Sequence, residues 1–225
     1  MHDAVFKPDT EPIFARVSRL CEQLRHHPLL VAAGDATLPP PLLRELAFLQ
    51  YADSILWIPM LAQLKSKATR SVRLRRAIED NISCEAGLGS VSHVQLAVDL
   101  MRSIPDVDTG AVPLPAFREA TSWWLSNEFA AASEAWVVGW LLAAESLVPV
   151  LFAGVLPAYR GCDTRYFSEH VAVDGDEHAA WMRESLDDVF AVYGAGCVAD
   201  VERGIDDAWQ ETISVPDALW KTLQA

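Results

Sequence analysis

Two imidazoles and a carboxylate recur at intervals of four in the segment His170-Val-Ala-Val-Asp174-Gly-Asp-Glu-His178. On a helix each residue turns through about 100°, so positions i, i+4 and i+8 fall within roughly 80° of one face. His170, Asp174 and His178 would therefore project together. Mixed histidine and carboxylate ligation suits iron or manganese, whereas structural zinc is held mainly by thiolates. The bland alternative is a solvated polar face, which is how Asp176 and Glu177 read. A second segment puts Glu85 at the end of one helix and His93, eight residues on, near the start of the next. Taken alone, His93 reads equally as a turn cap. A third carboxylate, Glu145, is the one charged side chain between Glu134 and Arg160. Inside so apolar a helix it must be paired, protonated or metal-bound. Pro149, four residues later, cannot donate the hydrogen bond that the Glu145 carbonyl would accept, so a kink that re-aims the carboxylate is expected.

Together these segments supply three carboxylates and three imidazoles from three or four helices. Ligands projecting inward from facing helices are how bundles hold a dinuclear metal. The remaining histidines, His2, His26 and His27, lie near the N-terminus with no matching carboxylate spacing.

The elements that must position these residues are helical. Apolar residues recur at spacings of three and four, and alternating runs are scarce. Helices are expected over residues 11–26, from the Pro39-Pro40-Pro41 run to about 66, and over 69–84, 92–103, 116–127, 131–159, 164–193 and 198–212. Turns are expected at Gly34-Asp35 and at Gly87 and Gly89, and a loop over 105–115. The expected class is all-α in a single domain, with residues 1–36 as a peripheral N-terminal helix and turn.

Composition narrows the partners. Eighteen Lys and Arg against 31 Asp and Glu give a formal charge of −13 over 225 residues. That field repels phosphate backbones and anionic lipid, so neither nucleic acid nor a membrane is an expected partner. The basic stretch 65–76 reads as a solvated helix face. Cys21, Cys84, Cys162 and Cys197 are widely spaced, which fits reduced thiols in the cytoplasm. No apolar signal core precedes the first helix, so no export is expected. The apolar stretch around Glu145 has a membrane span's length, but its Gly139, Pro149 and two Trp favour a buried central helix.

The three segments, in this order and separation, resemble the haem-oxygenase-like diiron oxidases and oxygenases, seven-helix proteins that bind no haem. The likeness is carried by Asn81-Ile-Ser-Cys-Glu85-Ala-Gly87 with His93, by Leu141-Leu-Ala-Ala-Glu145-Ser-Leu-Val-Pro149, and by Tyr166-Phe-Ser-Glu-His170 through His178 and Ala179. It covers roughly residues 42–194. The resemblance implies a seven-helix bundle with two irons. Glu85, His93, Glu145 and His178 would hold one; His170, Asp174 and a shared Glu145 the other. Asp53 is the candidate for a further carboxylate ligand. The sequence departs from the commoner pattern at one point. Three residues, Gly175-Asp176-Glu177, separate the last two ligands where two are usual, and a π-bulge near Gly175 is expected to absorb the extra one.

The resemblance also implies O₂ as co-substrate, an external electron donor or reductase, and loosely held metal. Small substrates, amino acids or fatty acids, would undergo desaturation, C–C cleavage or N-oxygenation in natural-product pathways. An amino acid or a derivative of one is the expected substrate here. Its carboxylate would need an Arg or Lys in the pocket, for which Arg165 and Arg118 are candidates that otherwise read as surface residues. Trp136 and Trp140, one turn apart, either wall the pocket or belong to the plain core. A homodimer is expected. The competing readings are a metal-independent, thiamine-related enzyme of the same fold and a non-catalytic metal-binding helical protein.

Overall fold

Helices start where the chain offers a proline first turn or a side-chain cap. A computed structural model describes residues 9–35, 38–88, 90–105, 132–173 and 178–224. In it α1 (Glu11–Arg25), α2 (Pro28–Gly34) and α3 (Pro40–Lys67) each carry proline in the first turn, where the missing N–H costs nothing. The helices α4 (Val72–Glu85), α5 (His93–Ser103) and α6 (Glu134–Val155) follow Ser71, Ser92 and Ser133. Those hydroxyls accept hydrogen bonds from the amides of Leu74, Gln95 and Trp136, satisfying donors that a helix start leaves open. A 3₁₀ turn (Leu156–Tyr159) leads from α6 towards α7 (Arg165–Val173). After it come α8 (Ala179–Tyr193), a second 3₁₀ turn (Gly194–Cys197) and α9 (Val198–Gln224). No strand occurs among the described residues.

The bundle is built around α6. Every residue from Glu134 to Glu145 is buried, so this half of the helix is apolar on nearly all sides, whereas Ala153 near its end is exposed. The stretch Glu134–Tyr159 is long and apolar enough to cross a membrane by length and composition; here it is the core helix. It packs most extensively on α9, and also on α1, α2, α7 and α8. The α6–α9 crossing is set by two glycines. A Cβ on Gly139 would fall on the Val201 carbonyl, and one on Gly204 would fall on the carbonyl of Trp136. At the start of α6 the buried Glu134 carboxylate accepts hydrogen bonds from the Ser71 amide (2.6 Å) and the Tyr193 hydroxyl (2.7 Å), tying α4 and α8 to it.

Several boundaries differ from expectation. Residues 28–34 form α2 rather than a simple turn, and the segment expected at the periphery buries Leu24, Leu29 and Ala33 completely. His27 caps α2 and holds Asp217 of α9 at 3.1 Å. The last helix does not stop near 212: it continues through the buried Pro216 to Gln224. The expected helix 164–193 is seen as α7 and α8, on either side of 174–177. The expected helix 116–127 lies outside the described residues, as does nearly all of the loop 105–115.

Candidate metal centre and its cavity

Glu85 is the last residue of α4 and His93 the first of α5. Gly87 makes the turn between them possible. Its φ of +72° is left-handed, and a Cβ there would meet the Val91 carbonyl carbon at 2.7 Å and press still closer on the Ser92 amide. Only glycine suits such a position. The turn brings Glu85 Oε2 to 2.7 Å from His93 Nδ1, both groups being almost fully buried.

His170 completes this cluster from α7. The ligand-type atoms of Glu85, His93 and His170 all lie within 4.8 Å of one another, and the two imidazole centroids are 4.3 Å apart with the rings tilted by 46°. His170 Nδ1 donates to the Tyr166 carbonyl at 2.7 Å. That bond fixes the tautomer and leaves Nε2 as the lone-pair nitrogen, the usual arrangement around a metal-ligating histidine. Burial, reinforced by His93, lowers the His170 pKa to about 3, so the ring is neutral and fit to be a ligand.

Glu145 and His178 form a second buried pair. Glu145 Oε1 accepts a hydrogen bond from the Asn81 side-chain amide at 2.6 Å, and Oε2 lies 3.0 Å from His178 Nδ1. All three residues are buried. His178 itself sits in a π-helical turn at the entry to α8. Gly175, the expected centre of the bulge, lies outside the described residues, and so does the expected ligand Asp174. Asn81 was not anticipated as part of the site. It precedes Glu85 by one turn and so shares its helix face, but a neutral amide gives no signal beyond that spacing.

Among the described residues His170 lies with Glu85 and His93, its ring anchored on the Tyr166 carbonyl, and Glu145 lies with His178. Asp53 lies on the wall of the adjoining cavity and is not part of the three-residue cluster.

That cavity, of about 110 Å³, is lined by Glu85, Glu145 and His170 at the metal-ligand end. Gln50, Asp53, Ser54 and Trp57 of α3 line it too, with Trp140, Val148 and Leu151 of α6 and Glu211, Thr212 and Val215 of α9. Trp140 walls it as expected. Trp136 does not: it stacks behind Trp140 at 6.1 Å and donates its indole N–H to Asp207 at 2.7 Å. Arg165 is a surface residue, the alternative to a place in the pocket. It is exposed and paired with Asp163 (2.6 Å) and Asp99 (2.9 Å), salt bridges that hold it away from the cavity. Arg118 lies outside the described residues.

Burial raises the Asp53 pKa from 3.8 to about 7. In the metal-free protein the folded state therefore holds a proton that the unfolded state has released. Stability falls as pH rises from about 4 to 7 and is flat above that, by as much as about 4 kcal/mol from this group; cavity water lessens the effect. Asp53→Asn is expected to raise the melting temperature at pH 8 while leaving it unchanged at pH 4. Equal shifts at both pH values would contradict the assignment.

Residues 41–206 match the model of a family described as iron-containing redox enzymes. Three solved structures share the architecture. A domain of unknown function with a haem-oxygenase-like fold from Shewanella denitrificans OS217 is 18% identical, with a TM-score of 0.76 over 96% of this chain and 94% of that one. A TenA homologue from Pseudomonas syringae pv. tomato DC3000 is 15% identical, with a TM-score of 0.74 over 98% and 96%. A CADD-like protein of unknown function from Nostoc punctiforme PCC 73102 is 17% identical, with a TM-score of 0.67 over 92% and 98%. The fold is thus haem-oxygenase-like. No curated protein matches the sequence.

Proposed function

We propose that this chain, which belongs to the family of iron-containing redox enzymes, is an O₂-dependent oxidase or oxygenase. It would hold two irons and act on a small amino acid or a derivative of one. The observation that carries the reading is a pair of buried clusters, Glu85 with His93 and His170 and Glu145 with His178, drawn from separate helices and reaching one cavity through Glu85, Glu145 and His170. Burying two carboxylates and three imidazoles without a cation is costly, and a mixed oxygen and nitrogen donor set is what iron takes. The donor set therefore fits the metal.

In this reading Glu85, His93 and His170 hold one iron. Glu145 and His178, with Asp174, would hold the second, Glu145 being shared between the two as the resemblance implies. Bound iron would supply the electrons that O₂ requires. The protein's part is geometric. Asn81 keeps the Glu145 carboxylate turned towards His178, and the Tyr166 carbonyl keeps Nε2 of His170 as the available nitrogen. Val148, Leu151 and Phe152 line the cavity with apolar surface, which limits water around the reacting carbon or nitrogen. An external electron donor, a homodimer and a cytoplasmic location belong to the same proposal.

Anaerobic Fe(II) loading tests the reading. About two irons per chain, and O₂ consumption that accelerates when a substrate is added, are the expected results. A chain that binds no iron would leave the metal-independent, thiamine-related alternative. One that binds iron but consumes no O₂ with any amino acid or amine would be a metal-binding module.

A further inference from the structure

Three indoles run in contact from the cavity towards the surface. Trp57 of α3 and Trp140 of α6 both line the cavity, which Glu85, Glu145 and His170 also line. Their ring centroids are 5.8 Å apart, with the planes tilted by 35°. Trp140 in turn stacks on Trp136, one helical turn earlier, at 6.1 Å with the planes only 20° apart. Trp140 and Trp136 are 1% and 3% exposed, so neither meets bulk water. The indole N–H of Trp136 donates to Asp207 Oδ2 at 2.7 Å, and Asp207, on α9, is partly exposed. The stack therefore runs from the cavity wall to a carboxylate that reaches solvent.

Packing alone asks for less. A buried indole N–H needs one acceptor, and a backbone carbonyl or a hydroxyl would serve. A carboxylate does more. Its negative charge stabilises the cation left when the ring loses an electron, and it can take the indole proton, so that the oxidised ring ends neutral. Indole is one of the few side chains that gives up a single electron and takes it back, and stacked rings pass an electron between them with little movement of atoms. Glu145 lies five residues beyond Trp140 on α6, about 7.5 Å along the helix axis. The inner end of the stack is thus close to the candidate metal ligands.

We propose that Trp140 and Trp136 form a one-electron relay that drains oxidant from the cavity to the Asp207 surface when O₂ reacts there without a substrate. Trp140 gives one electron to the one-electron oxidant that Fe(II) and O₂ generate, Trp136 gives one electron to Trp140, and the Trp136 indole proton passes to Asp207. A thiol reductant at the surface then returns one electron to Trp136, and Asp207 returns the proton. The relay depends on the oxidase reading for its oxidant, but its path is a property of the chain alone.

Two oxidants test it, with the oxidised residues located by peptide mass spectrometry. Metal-free protein is treated with photogenerated tris(bipyridine)ruthenium(III), and iron-loaded protein with O₂ in the absence of substrate and thiol. In both, Trp136 and Trp140 are expected to be oxidised despite their burial. Under ruthenium, Asp207→Asn should lower oxidation of Trp136 about tenfold, the worth of one charge-assisted hydrogen bond, and leave the partly buried Trp220 unchanged. In the iron-loaded protein Trp136→Phe, which keeps a ring in place, should raise oxidation of Trp140 because the electron supply behind it is cut. Thermal melts identify a variant that fails to fold, and the other variant then decides. Oxidation that spares Trp136 and Trp140 under ruthenium, or in iron-loaded protein that consumes O₂, overturns the relay, as does unchanged oxidation in the folded variants. A stack that is oxidised by ruthenium in a chain that takes up no iron would sink only the oxidase reading.

Discussion

Glu145→Ala is expected to lose iron and turnover together. The substitution removes the acceptor of two buried donors, the Asn81 amide and the His178 ring, and the one carboxylate of the second metal half among the described residues. Iron content should fall from about two per chain to one or fewer. Substrate-dependent O₂ consumption should fall at least about a hundredfold, since even groups that merely orient ligands cost ten- to a hundredfold. Glu145→Gln separates charge from shape: it keeps an oxygen for Asn81 but offers no carboxylate, and it too should fail to load. His27→Ala is the contrast. His27 caps α2 and holds Asp217, outside the ligand set, so about 1 kcal/mol of stability is at stake, with iron and turnover intact. Elemental analysis and an oxygen electrode read both outcomes, and a Glu145→Ala protein that still binds two irons would refute the assignment.

The second large effect is on folding. Gly139→Val would place side-chain carbons on the Val201 carbonyl. That neighbour is the backbone of α9, so no side-chain rotation can relieve the overlap. The expected loss is at the upper end of the about 1–3 kcal/mol typical of overpacking. In a chain of this size that is a fall in melting temperature of roughly 10 °C. Gly196→Ala, where nothing lies within 4 Å, should change it little. Because α6 carries Glu145 and both helices line the cavity, whatever of the Gly139→Val protein folds should also load iron poorly. A melting temperature equal to that of the parent would mean the two helices are not held this closely.

The ligand-type residues were legible because their chemistry clashes with their surroundings: Glu145 in an apolar run, and His170 and His178 on one helical face. Glu85 and His93 stood out through the glycine turn between them, and that turn explains the spacing. What escaped notice depended on contacts distant in sequence. Whether Arg165 faces the pocket or the solvent turns on Asp99, its partner 66 positions away. Trp136 and Trp140 share a helical spacing, but only packing decides which of them reaches the cavity. Asn81 and Gln50 are uncharged, so nothing local marked them. The short α2 is too brief to show a period. The end of α9 was missed because Pro216 usually stops a helix, whereas here its ring is buried against neighbours that keep the helix going.

The five donors come from positions as far apart as Glu85 and His178, and nothing gathers them before the helices have packed. An ion held by them binds the native chain and has little hold on the unfolded one, so its affinity is added to conformational stability, by about 2.7 kcal/mol at a hundred times its dissociation constant. A chelator then acts on this protein as a mild denaturant, and scarcity of iron in the cell would shorten the lifetime of the polypeptide as well as silence it.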